Sequence, residues 1–156
     1  MDSTEAAKLI AIPAALIVSG YQLALSQNSL PIVLNEAASV STPIFKQVYN
    51  RGAVIAVPGA LVASTAFGYL AYTTHNSTHR WLFTTGAILT FGVLPFTRLV
   101  MYGGIQRLIE ISGSSTVQER SGAEVTKSLK AWTVQNWVRC GMMLTAGFAG
   151  LVTAFV

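Results

Sequence analysis

Trp132, Asn136 and Arg139 stand at i, i+4 and i+7 in the run AWTVQNWVRC, Ala131 to Cys140, a spacing that puts all three on one face of a helix. From Cys140 to Val156 the chain carries no further charge, so Arg139 lies where a helix is entering a membrane. A lipid-facing arginine at that depth costs about 2.5 kcal/mol or more, which directs it towards a neighbouring helix or a wet cavity. A guanidinium, an amide and an indole on one face offer hydrogen bonds and ring contact to a small molecule held between helices. The plainer readings are that Arg139 snorkels to headgroups, that Trp132 and Trp137 sit in an interfacial belt, and that Asn136 makes a helix-helix hydrogen bond. The shared face of Asn136 and Arg139 favours the pocket.

The elements that must position this face are read from composition and from uncharged runs. The chain has 156 residues, 52% hydrophobic and 10% charged, with a mean hydropathy of +0.53, whereas a soluble domain is about 25% charged. Leu9 to Asn35, Gly52 to His79, Trp81 to Thr97 and Cys140 to Val156 carry no Asp, Glu, Lys or Arg; each equals or approaches the ~20 residues of helix that cross a hydrocarbon core. A soluble bundle this small cannot cover four such helices with one another. The expectation is an all-α, integral membrane four-helix bundle, up-down-up-down, forming a single domain over 1–156 with spans near 9–30, 53–73, 81–101 and 134–156. The segment Asn35 to Asn50 is expected as a loop. Thr116 with Glu119 suggests a capping box that starts the lead-in to the last helix.

Up-and-down order brings four polar clusters to one end of the bundle. Gln22, Gln27 and Asn28 close the first span, Tyr49 and Arg51 precede the second, Arg98, Tyr102 and Gln106 follow the third, and Trp132, Asn136 and Arg139 open the fourth. Lys8 and Arg80 lie at the other end. Counting basic residues therefore puts both termini on the lumenal or extracytoplasmic side and the long loops in the cytosol.

Other features carry less. Acidic Asp2 and Glu5 beside a single Lys8, with Pro13 and Gln22 inside the apolar run, argue for a retained helix over a signal peptide. The single cysteine, Cys140, leaves no internal disulfide and no thiolate cluster. His75 and His79 are four apart, but no carboxylate or thiol joins them, so they read as solvated loop residues. The formal charge of +4 is scattered over loops and helix ends, which gives no nucleic-acid surface. Small-residue stripes at Ala11, Ala15 and Ser19, at Ala60, Ser64 and Gly68, and at Ala146 and Gly150 suit close helix contact and motivate a homo-oligomer.

Four stretches carry a resemblance that covers nearly the whole chain: SGYQLALSQNSLPIVL, FKQVYNRGAVIAVPGALV, LPFTRLVM, and W-x-x-x-N-x-x-R from Trp132 to Arg139. Together they resemble the fungal anthrone oxygenases, small four-span membrane proteins of aromatic polyketide pathways. One departure is YGGIQ, Tyr102 to Gln106, where that family suggests a turn containing Pro and Asn, and it bears on the substrate. The resemblance implies an enzyme, a monooxygenase that oxidises an anthrone-type methylene to a quinone with dioxygen and no metal or flavin, in an endomembrane such as the endoplasmic reticulum. On that reading Arg139 and Arg51 hold the developing oxyanion, Asn136 a substrate carbonyl or hydroxyl, and Trp132 stacks on the ring, with Gln22, Gln27, Asn28 and Arg98 lining the site. The base is Tyr49, Tyr102, or a water held by Gln22 or Gln106. The alternatives are cyclisation, dehydration or isomerisation of a polyketide phenol in the same pocket, or a non-catalytic membrane scaffold.

Overall fold

Apolar and small residues recur at helical spacing through almost the entire chain, and the backbone follows them. The computed structural model describes residues 2–155, among which there is no strand. The helices are α1, Ser3–Leu34; α2, Ala38–Thr73; α3, Ser77–Ile111; the short α4, Ser115–Arg120; and α5, Gly122–Val152. A π turn interrupts α1 at Leu25–Ser29 and α3 at Thr97–Met101.

Short connections make successive long helices antiparallel, and named contacts show it. Tyr69 of α2 donates its hydroxyl to Ser3 of α1 at 3.0 Å, whereas Tyr21, further along α1, lies against Gly52 in the earlier half of α2. Asn136 of α5 bonds to Gln22 and Ser26 of α1, and Gly150 of α5 meets Ile12. α1 and α3 lie diagonally opposite, each packed against both α2 and α5. At the turn into α3 the Asn76 side chain accepts the Thr78 and His79 amides at 2.9 and 3.2 Å, supplying the acceptor that the first turn of a helix lacks.

α1, α2 and α3 are long and apolar enough to cross a membrane. α5 falls short of that standard because Gln135, Asn136 and Arg139 interrupt its apolar run. Large apolar side chains cover the outside of the bundle, including Ile17, Val54, Ile88, Leu99 and Val134.

Two sequence expectations are corrected. Residues 38–50 are not a loop but the first turns of α2. Ala38, Thr42, Phe45 and Gly52 form a buried helical stripe there, and burying a side chain such as Phe45 contributes about 1.5–3 kcal/mol. That outweighs Pro43, whose missing amide near the helix start removes one hydrogen bond. The capping box at Thr116 does not form: Ser114 holds the cap position of α4, and its side chain makes no cap hydrogen bond.

Buried side chains gather into two cores. One, towards the termini, holds Ala11, Ala15, Phe67, Phe83, Met143 and Ala146. The other, towards α4, holds Leu30, Phe45, Met101, Ile105, Leu108 and Leu129. At their junction the buried residues are polar: Gln22, Ser26, Asn136 and Arg139. The small stripe of α1 and the Ala146 to Gly150 pair are spent inside this fold, since a Cβ on Gly147 would come within 2.5 Å of Leu16 and one on Gly150 within 2.7 Å of Ile12. The stripe of α2 is displaced from the expected one. Ala56, Ala60, Ala63, Phe67 and Leu70 face inward, while Ser64 and Gly68 are half-buried.

Candidate functional site

A cavity of about 300 Å³ occupies the junction of the two cores, at the lower end of the size of small-molecule sites. Its space comes from α2, where Gly52, Ala53 and Ala56 present almost no side chain to it. A Cβ on Gly52 would lie 3.3 Å from the Tyr21 hydroxyl, so that glycine also lets α1 and α2 close over the cavity.

α5 supplies the face that its spacing predicted. Trp132, Asn136 and Arg139 all line the cavity, and all are buried. Phe45 meets the Trp132 ring edge-on, with centroids 5.4 Å apart, and stacks on Tyr49 on its other side, which fixes the indole as a wall. Asn136 donates both amide hydrogens to α1, to the Gln22 carbonyl at 3.0 Å and to the Ser26 hydroxyl at 2.8 Å. Its amide oxygen alone remains for a ligand, so it accepts from a hydroxyl and cannot donate to a carbonyl. Those bonds land at the start of the α1 π turn, in keeping with the frequent use of π turns at functional sites.

Arg139 is 8% exposed, and the ion pairs among the described residues all belong to Arg107. Its one hydrogen bond runs from Nη1 to the Met101 sulfur at 3.8 Å, and Nε has no protein partner. The Gln22 amide, at both its nitrogen and its oxygen, and the Trp132 indole nitrogen are likewise buried and unpartnered. All three side chains line the same cavity. Each such group costs about 1–3 kcal/mol when left unsatisfied, so three residues of the cavity wall carry polar atoms that the protein itself leaves without a partner. Tyr49 is half-buried on the same cavity wall as Arg139.

Four expected members lie elsewhere. Arg51 is exposed, because Tyr49, Gly52 and Ala56 already take the inward face of α2 and a residue between them points out. Gln27 and Asn28 are exposed on the α1 π turn, whose inward residue is Ser26. Gln106 is half-buried beside Ile105 and lies outside the lining. Arg98 and Tyr102 do line the cavity, but at its exposed edge, the guanidinium lying 3.8 Å above the Tyr102 ring. Tyr21 and Thr97 join the lining without having been singled out by the sequence; a helical projection running inward from Gln22 and Arg98 would have found both. Among the described residues no group of three His, Cys, Asp or Glu side chains comes together as a metal site.

With this geometry in place, comparison with known proteins gives two matches. A family model described as anthrone oxygenase matches residues 45–149, a range that holds α3, most of α2 and every cavity residue of α5. The anthrone oxygenase encC of Aspergillus fumigatus is 28% identical over 165 aligned positions, covering 94% of this chain and 91% of that one. No solved structure matches the chain.

Proposed function

Because the chain belongs to the anthrone oxygenase family, we propose that the cavity binds an anthrone-type phenolic polyketide and oxidises its methylene to a quinone carbonyl with dioxygen, the protein supplying no metal or flavin. The single observation that carries this reading is Arg139: a buried guanidinium with no carboxylate, lining a cavity with other unpartnered polar groups. A buried cation without a counter-charge is costly, and an enolate in the cavity supplies that charge.

The chemistry balances on the substrate's own electrons. Loss of one methylene proton leaves an enolate, whose carbanionic carbon gives electrons to dioxygen and forms a C–O bond as a hydroperoxide. Loss of the second C–H proton with cleavage of the O–O bond leaves the new carbonyl and water. One oxygen atom enters the product and the other leaves as water.

The residues divide the work accordingly. Arg139 stabilises the enolate oxygen, where a donor already in position acts most strongly in a water-poor site. The Gln22 amide orients the phenolic edge, and the Trp132 indole face packs on the rings. Asn136 accepts from a phenolic hydroxyl while its own donors pin α5 to α1. Tyr49, another lining residue, takes the methylene proton onto its phenolate oxygen.

The test is oxygen uptake by purified, metal-stripped protein with 1,8-dihydroxyanthrone. Arg139→Lys keeps the charge but loses the planar donor fork, and turnover should fall about a hundredfold or more. Full activity in Arg139→Lys rejects the assignment of Arg139. No oxygen uptake by the unaltered protein on any anthrone rejects the oxygenase reading and points to non-oxidative chemistry on the same class of phenol.

A further inference from the structure

The cavity is closed on two sides and open on one. Its lining residues from α5 are all buried, and those from α1 are buried or half-buried. Three lining residues are exposed, and all belong to the seam between α2 and α3: Val57, Arg98 and Tyr102. The mouth is therefore lateral, in the side of the bundle.

The surface around that mouth is apolar. Val54 is 73% exposed beside it on α2, and Leu99 is 82% exposed next to Arg98 on α3; an aqueous vestibule has no reason to be ringed by such side chains. Among the described residues Arg98 has no acidic partner, and it rests on the Tyr102 ring, an arrangement that shields one face of a cation while the other stays with polar headgroups. Arg51 and Arg98 are exposed at the same end of neighbouring antiparallel helices, and each borders an uncharged run, which marks the polar boundary of the bilayer. Val57 lies six residues beyond Arg51, about 9 Å deeper at the helical rise. The mouth thus spans from the headgroup level into the upper hydrocarbon.

The Thr97–Met101 π turn builds this edge. Five residues make one turn there, so Thr97 and Tyr102 both return to the cavity side, whereas five steps of a regular α-helix would carry Tyr102 about 140° away. A planar tricycle with an apolar body and a phenolic edge partitions to the same interfacial depth as tyrosine and tryptophan side chains. Dioxygen, being apolar, dissolves in the hydrocarbon beside it.

We propose that the substrate reaches the cavity sideways from the interfacial zone of the bilayer, through the α2–α3 seam edged by Val57, Arg98 and Tyr102. The chemical identity of that substrate rests on the function proposed above, whereas the route does not.

The test uses the full chain in phosphatidylcholine vesicles with 1,8-dihydroxyanthrone as probe. Val57→Trp places a bulky ring in the mouth, and Val54→Trp places the same ring one turn away on a surface outside the lining. Val57→Trp should lower kcat/KM about tenfold or more with a smaller change in kcat, while Val54→Trp stays within about twofold. The fluorescence that Val57→Trp adds to that of the unaltered protein should be quenched by phosphatidylcholine brominated near the headgroup end of its acyl chains and not by aqueous iodide. Equal kcat/KM for the two variants, or quenching of the introduced indole by iodide alone, overturns the route. If the unaltered protein takes up no oxygen, the oxygenase reading fails by itself; slower uptake of the bound probe by Val57→Trp than by Val54→Trp, with the quenching pattern, then decides the route.

Discussion

At the scale of single residues the cavity is tuned for a ligand at the expense of the empty fold. Among the described residues Arg139 makes no ion pair and its Nε is unpartnered, so replacing it with an apolar side chain of similar length removes a desolvated charge and keeps the packing against Met101. Arg139→Met should therefore raise the stability of the ligand-free protein by about 1–4 kcal/mol while abolishing oxygen uptake. Thermal unfolding in mild detergent measures the first effect, and a lowered Tm rejects the view that Arg139 is held for function. Asn136→Ala should do the opposite, costing about 1–3 kcal/mol by leaving the buried Ser26 hydroxyl without its partner. The pairing of Trp132, Asn136 and Arg139 was legible because helical spacing alone puts them on one face. The duty of Asn136 was legible in kind, since a helix-helix hydrogen bond was its plainer reading, but its partners, a backbone carbonyl and a hydroxyl more than a hundred residues upstream, were not. Arg51 misled for a related reason: its type suited an anion, but its neighbours Tyr49 and Gly52 had already taken the inward face.

At the scale of elements, the two π turns reconcile sequence spacing with helix geometry. Inward positions advance in steps of four through Val18, Gln22, Ser26 and Leu30 in α1, and through Val93, Thr97, Met101 and Ile105 in α3. Three such steps overrun a 3.6-residue period by about one residue, and one widened turn absorbs it. A reading that assumes regular helices places the stripe on either side of such a turn but loses its phase across it; Gln27 and Asn28 were expected in the cavity as polar residues closing the first span, and the turn puts Ser26 inward instead. Deleting Leu99, which is 82% exposed within the α3 π turn, should convert that turn to a regular one and leave a folded protein. Deleting Leu89, in a regular stretch of α3, turns every later residue by about 100° and should not. Monodispersity on size exclusion and a cooperative melt distinguish them; equal failure of both rejects this account. The lower end of α3 is clasped to α5 by Arg107, which donates to both Glu124 oxygens at 2.7 and 3.2 Å. That hydrogen bond, with the nearby positive charge, holds the Glu124 carboxyl below its ordinary range. The clasp is present at neutral pH and is lost as pH falls through the depressed value, and being exposed it contributes little.

At the scale of the whole molecule, the length of the helices and the placement of charge decide which part lies outside the bilayer. α2 has 36 residues, about 54 Å of helix, against a hydrocarbon core of about 30 Å. Roughly 24 Å must therefore project, and the charges show at which end. Lys8 and Arg80 are the lysines and arginines at the end that holds the termini; Lys46, Arg51, Arg98, Arg107, Arg120, Lys127 and Lys130 lie at the other, around the core built on Leu30, Phe45, Ile105 and Leu129. The basic residues gather around that second core, so the positive-inside tendency predicts that it projects on the cytosolic side. In this arrangement the cavity is expected where the bundle leaves the membrane, beside the adjoining leaflet. Cysteine labelling in sealed microsomes tests the orientation. Ser115 and His75 are exposed at opposite ends of the bundle, and the native thiol of Cys140 is buried, so it contributes little background. Ser115→Cys should react with a membrane-impermeant maleimide added outside, whereas His75→Cys should react after the vesicles are opened. The reverse pattern turns the molecule over and puts the cavity mouth in the lumenal leaflet.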